Sequence, residues 1–141
     1  MTESSNEQIV LGGLFHQARG EFFLGDYDAF RATAEAYESR LSGCQGLSPK
    51  VIERLERIRT VLELMRAVSE RDTEKITGLQ GALTAWKASV ATEGFVNYLK
   101  GVCAYMTNNK EEAVYRFMLV KDACAKTVFA QLSEEYLALL R

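Results

Sequence analysis

Hydrophobic positions in this chain recur every three and four residues rather than every second one. After Ser48 they fall at Leu55, Ile58, Leu62, Met65 and Val68, the stripe of an amphipathic helix facing a core. Glu53, Arg54, Glu56, Arg57 and Arg59 occupy the other face. Glu53 and Arg57 stand four apart, which reads as a solvated, ion-paired surface. Alternating β-branched runs bounded by turns are scarce, and Ala, Leu, Glu, Arg and Lys dominate long stretches. The pattern predicts an all-α fold.

The breaks in the pattern divide it into helices. In "FFLGDYDAF" Gly25 suits the left-handed residue that ends a helix, and Asp26 suits the cap that starts the next. Two helices over about 7–24 and 27–41 therefore form a hairpin. "LSGCQGLSPK" is a loop, with Ser48 as a cap and Pro49 in the first helical turn. Asp72 in "SERDTEKI" caps a further helix that is expected to run to about Thr92, with Gly78 and Gly81 weakening its middle or letting a neighbour approach. "TEG" interrupts the chain again. Asn109 in "TNNKEEA" is a cap, and Glu112 three residues later suggests a capping box. Thr127 to Leu140 reads as a terminal amphipathic helix carrying Leu132, Tyr136, Leu139 and Leu140. The expected architecture is a single all-helical domain over 1–141. It holds hairpins at about 7–41, 49–92 and 94–125 and a terminal helix at about 127–140. Turns at Gly25-Asp26, Arg71-Asp72 and Asn108-Asn109, roughly 40 residues apart, suggest a short solenoid of stacked hairpins.

The third hairpin resembles the tetratricopeptide repeat family. Gly101 lies 12 residues before Ala113 and Phe117 lies four after it, the spacing that family uses, with Tyr105 at its first-helix aromatic position and "NNKEEA" as its turn. The packing reason is that small residues let two helices approach and an aromatic fills the space beside them. The first hairpin matches through Ala18, Phe22 and "GDYDAF", although Phe30 stands where a small residue is usual. The middle one departs further, with Leu64 and Ile76 at both small positions, and no repeat ends in the family's proline. The resemblance implies a right-handed stack of hairpins. A plain helical bundle has the same periodicity.

With 141 residues, 48% hydrophobic and 26% charged, the chain can bury one real core. A net charge of −2 from 17 basic and 19 acidic residues speaks against a broad nucleic-acid surface. No apolar run approaches the roughly 20 residues of a membrane span. "MTESSNEQ" lacks the chemistry of a secretory signal. Three cysteines, Cys44, Cys103 and Cys124, at long spacings read as free thiols in a reducing, cytoplasmic compartment. Cys103 and Cys124 fall on apolar stripes as small hydrophobes, and Cys44 in its loop is the thiol expected to meet added reagents most readily.

No catalytic constellation is expected. His16 has only Glu21 and Asp26 near it in sequence, short of a metal ligand set, and reads as an ordinary helix residue. Glu111-Glu112 suits a first helical turn, and Glu134-Glu135 reads as helix surface. No strand precedes a glycine-rich phosphate loop. Neither a cofactor nor a metal is expected.

The family resemblance implies a binding role instead, in which first helices line a groove for a partner's peptide. The matching positions are Phe15, Arg19 and Phe22, then Val61, Met65 and Val68, then Tyr98, Val102 and Tyr105. This set is apolar and aromatic, and the family's carboxylate-gripping Lys, Arg and Asn pattern is not repeated. A hydrophobic or amphipathic helix of a protein partner is the implied ligand. Aromatic stripes at such spacing also serve as core. Size and mild acidity are similar to the tetratricopeptide-type chaperones of bacterial secretion systems, or to adaptors. A homo-oligomeric assembly unit and a small-molecule-sensing helical regulator are the alternatives. The sequence shows no convergent polar cluster for a ligand pocket.

Overall fold

The computed structural model describes residues 3–85, 93–123 and 126–140. All regular structure among them is helical: α1 (Glu3–Phe23), α2 (Tyr27–Ser42), α3 (Pro49–Ser69), α4 (Thr73–Leu79), α5 (Gly81–Ala85), α6 (Glu93–Met106), α7 (Lys110–Ala123) and α8 (Val128–Leu140). Helices pack on their sequence neighbours as antiparallel hairpins and short stacks. The chain divides into two compact units, Met1–Ser69 and Glu70–Arg141. The two halves of the expected middle hairpin thus fall in different units.

In the first unit α1 buries Leu11, Phe15, Ala18 and Phe22, and α2 buries Phe30, Thr33, Tyr37 and Leu41, each a single helical stripe. α3 packs on both, and its second half is buried at Val61, Leu62, Leu64, Met65, Ala67 and Val68. The Tyr37 hydroxyl donates to the Leu55 carbonyl at 3.0 Å, so the one polar atom of a fully buried ring is satisfied. Arg40 grips Glu7 with Nε at 2.9 Å and Nη2 at 3.1 Å, and Arg54 reaches Gln8 at 2.7 Å. These bonds fasten the start of α1 to α2 and α3.

The expected turns form at the residues named for them. Gly25 has φ +79°, and Asn108 has φ +62°. Each hairpin closes with the same pair of bonds. Gly25 N–H donates to Phe22 and Asp26 N–H to Glu21, and likewise Asn108 to Tyr105 and Asn109 to Ala104. These are Schellman closures that satisfy the last carbonyls of a helix. The next residue caps the following helix: Asp26 accepts from Ala29, Asp72 from Lys75 and Asn109 from Glu112, at 3.2 to 3.3 Å. Arg71, at φ +55°, takes the left-handed place before Asp72. Ser48 accepts from Val51 at the start of α3 as expected.

Three expectations are corrected. The helix after Asp72 does not run on unbroken: α4 ends at Leu79, Gln80 is its C-cap, and α5 begins at Gly81. Gly78 and Gly81 flank this break, where their backbone freedom weakens a helix; the rest of the stretch to Thr92 lies outside the described residues. The capping box at Asn109 is half formed. Glu112 gives its N–H to Asn109, but its carboxylate pairs with Arg116 at 2.7 Å and the Asn109 N–H goes to Ala104. On α8 the buried residues are Ala130, Ser133 and Leu137; of the four expected, Tyr136 packs inward against Phe117, Tyr105 and Tyr98, Leu132 and Leu140 are half-buried and Leu139 faces out. Leu139 is 69% exposed. Small residues at 130 and 133 let α8 lie close to its neighbours, and that outweighs side-chain size in choosing the face.

Candidate functional site

α6 is the central helix of the second unit. Phe95, Val96, Tyr98, Leu99, Val102, Cys103 and Ala104 are all buried, and α4, α7 and α8 pack around it. Its approach to α7 rests on Gly101. A Cβ at that position would lie 2.6 to 2.9 Å from three atoms of the Phe117 ring. Gly101 and the filling aromatic Phe117 therefore meet in space as their spacing suggests, and Ala113 is fully buried on α7.

The other side of Phe117 holds α8. Tyr136 stacks on Phe117 with centroids 4.9 Å apart and planes 10° from parallel. It meets Tyr105 edge-on at 5.1 Å and Tyr98 edge-on at 6.1 Å. Phe129 adds contacts to Tyr98 at 6.1 Å and Phe95 at 6.4 Å. Offset and edge-to-face pairs of this kind are each worth about 0.5–1.5 kcal/mol beyond the area they bury. One amphipathic helix is thus held on the α6–α7 hairpin by an aromatic cluster.

The nine residues named from the sequence are distributed as follows. Tyr98 and Val102 are buried on α6, and Tyr105 is half-buried against Tyr136. In the first unit Phe15 and Phe22 are buried on α1, with Phe22 in a ring cluster with Phe23, Tyr27 and Phe30. Arg19 is half-buried, its guanidinium 5.7 Å from the Phe15 centroid, and desolvation lowers its pKa from the ordinary arginine value. Val61, Met65 and Val68 are buried on α3. The structure brings Tyr98 and Tyr105 together around one side chain, Tyr136; Phe15, Arg19 and Phe22 form a separate group on α1.

Sequence reasoning missed a polar cluster on the opposite side of α6. A cavity of about 300 Å³ opens there, lined among others by Gln80, Leu83, Lys100, Cys103, Thr107 and Arg116. It lies beside the α4–α5 break. Arg116 is pinned by two bonds, Nε to Glu112 at 2.7 Å and Nη1 to Asn97 at 3.1 Å, and its guanidinium lies over the Tyr115 ring at 5.3 Å. Lys100 has no hydrogen-bond or ion-pair partner among the described residues. Desolvation and the nearby Arg116 charge lower its pKa, against a smaller opposing effect of Glu112. The available signal was a polar series, Asn97, Lys100 and Thr107, interrupting an otherwise apolar helix.

Cys103 is buried in this wall and its thiol is pushed up to about 12 by burial, the opposite of an activated nucleophile. Cys44 is half-buried. Its thiol lies 3.2 Å from the Arg40 carbonyl and 3.6 Å from Glu7, and desolvation and that carboxylate raise its pKa. These contacts slow its modification, although of the two described cysteines Cys44 remains the more accessible, since Cys103 is buried. Cys124 lies outside the described residues. His16 is exposed on α1, and no group of three or more His, Cys, Asp or Glu among the described residues is placed to hold a metal. No described helix is long and apolar enough to cross a membrane. Compared with family models, curated proteins and solved structures, the chain matches none.

Proposed function

We propose that this chain is a non-enzymatic interaction module of tetratricopeptide-like hairpins, whose α6–α7 hairpin receives an amphipathic helix of a protein partner. The observation that carries the reading is the seating of α8 on Tyr98, Tyr105 and Phe117 through Tyr136. A face that holds one amphipathic helix by aromatic contacts has the chemistry to hold another. On this reading α8 competes with the partner, and binding includes its displacement. The chain then acts as an adaptor or a chaperone for an apolar helical segment.

The test compares partner capture from the native host by three folded forms. Tyr98→Leu with Tyr105→Ala weakens the receiving face without hollowing it fully. Tyr136→Ala weakens only the hold of α8. The expected result is loss of one dominant partner in the first variant and stronger capture of the same partner in the second. Full retention of every partner by a stably helical Tyr98→Leu/Tyr105→Ala chain would refute the reading.

A further inference from the structure

We propose that the cavity between the α4–α5 break and the α6–α7 hairpin binds a small organic monocarboxylate, held between Lys100 and Arg116 with its carbon body against Leu83 and Ala104. This site is separate from the aromatic face that receives α8.

Among the described lining residues that carry charge, Lys100 and Arg116 are positive and Glu112 is negative. Glu112 already serves Arg116 through Nε and offsets the Lys100 charge only in smaller part, so among the described lining residues one carboxylate faces two cations. The two cations lie near enough for Arg116 to disfavour the charge on Lys100. Half-buried like charges repel more strongly than surface ones, because less water screens them. A single anionic group between them relieves that repulsion and supplies acceptors for the ammonium.

Geometry then favours a planar acid group. Arg116 is fixed by Glu112 on one nitrogen and by Asn97 on another. Its orientation is set before any ligand arrives, which lowers the cost of binding. With one uncompensated positive charge in the lining, a monoanion leaves the site neutral. A phosphate dianion would leave a net negative charge beside Glu112 and is disfavoured. The hydroxyl of Thr107 donates to the carbonyls of Cys103 and Ala104, so its remaining capacity is as an acceptor, which suits a polar substituent rather than a second acid. Leu83, Ala104 and the protonated Cys103 thiol form an apolar wall. A volume of about 300 Å³ sits at the lower end of ligand-sized cavities, enough for an acid with a short aliphatic or aromatic body.

The experiment is calorimetric titration of the full chain with phenylacetate, acetate and inorganic phosphate, repeated on Lys100→Met and on Lys110→Met. Lys110 is an exposed lysine at the start of α7, so its variant carries the same change in net charge. The expected result is saturable phenylacetate binding, weakened by about tenfold or more in Lys100→Met and unchanged in Lys110→Met, the loss expected for one charge-assisted contact. Acetate should bind more weakly than phenylacetate because it leaves the apolar wall uncovered. Amide chemical-shift changes in the wild-type chain should centre on Lys100, Cys103, Thr107 and Arg116, a readout that needs no variant to fold. Absence of saturable binding, equal affinity in Lys100→Met, or shifts centred elsewhere would each overturn the site. Tighter binding of phosphate than of phenylacetate would overturn the ligand class.

Discussion

Replacing Gly101 by alanine tests the packing of the second unit at its tightest point. In a helix interior the exchange should stabilise by about 1 kcal/mol, because alanine gives up less backbone freedom than glycine. The structure opposes that gain. The new methyl would stand 2.6, 2.8 and 2.9 Å from three atoms of the Phe117 ring, where carbon pairs are at rest near 3.5–4.0 Å. The ring must therefore retreat by roughly 1 Å. Phe117 is fully buried, with Tyr136 stacked upon it at 4.9 Å and Tyr98 at 6.0 Å, so it cannot retreat without moving α8. Overpacking of a filled core costs typically about 1–3 kcal/mol, and the crowding by a whole ring edge belongs at the upper end. The net expectation is destabilisation by about 1–2 kcal/mol. Urea unfolding at fixed slope gives the value. The cycle with Phe117→Leu supplies the control. Phe117→Leu alone destabilises, but in its presence Gly101→Ala should become neutral or stabilising, a coupling of about 1 kcal/mol or more. A Gly101→Ala chain as stable as the wild type, or a cycle without coupling, would show that α6 and α7 are not held at the distance described.

Three further outcomes follow from single residues. Arg71→Gly removes a side chain from a left-handed φ of +55° and should stabilise by up to about 1 kcal/mol after the entropic cost of glycine; Asn108→Gly, where asparagine already tolerates φ +62°, should gain less, and paired melting curves rank the two. The Ser133 hydroxyl is fully buried without a partner among the described residues, so Ser133→Ala should be neutral or raise stability by about 1 kcal/mol in urea unfolding. Burial holds the Cys103 thiol near 12, whereas the unfolded thiol titrates near 8.5; the unfolded chain therefore sheds this proton first as pH rises. The stabilisation from the neutral thiol is whole below about pH 8.5 and falls through pH 12, with about 2 kcal/mol gone by pH 10. The difference in unfolding free energy between wild type and Cys103→Ala should shrink accordingly between pH 7 and pH 10.

The connections were legible in the sequence because their chemistry is local. A left-handed residue followed by an Asp or Asn cap needs only its own neighbours, and Gly25-Asp26, Arg71-Asp72 and Asn108-Asn109 all behave as read. The α6–α7 contact was legible for a related reason: Gly101, Ala113 and Phe117 encode a distance between two helices as a spacing along the chain. The face of α8 was legible only in part: Tyr136 packs inward as its place in the stripe suggests, whereas Ala130, Ser133 and Leu137 were not named. Leu139 and Leu140 carry more apolar area than Ala130 and Ser133, but close approach to α7 and α6 favours small residues, and that is decided by tertiary packing. The polar cavity escaped for a similar reason. Asn97, Lys100, Glu112 and Arg116 look like ordinary helix-surface residues when each helix is read alone. Their convergence depends on the register of α6 against α7 and on the break at Gln80, of which Gly78 and Gly81 were a sign.

α6 explains why one hairpin can present two unlike surfaces. Tyr98 and Tyr105 are seven residues apart, about two helical turns, and share a face. Lys100 and Thr107 each follow one of them by two residues, a rotation of about 200°, and so look the other way. Gly101 lies between these directions and admits Phe117. The same α7 that brings Phe117 to Tyr136 brings Arg116 to Asn97 and to the cavity. The aromatic grip on α8 and the paired cations of the cavity therefore both depend on the distance that a missing Cβ permits. A substitution that spreads α6 from α7 acts on both surfaces at once, whereas Tyr136→Ala acts on the aromatic grip and Lys100→Met on the cavity. The pattern of separate and joint effects among these three changes distinguishes a shared scaffold from two sites with unrelated supports.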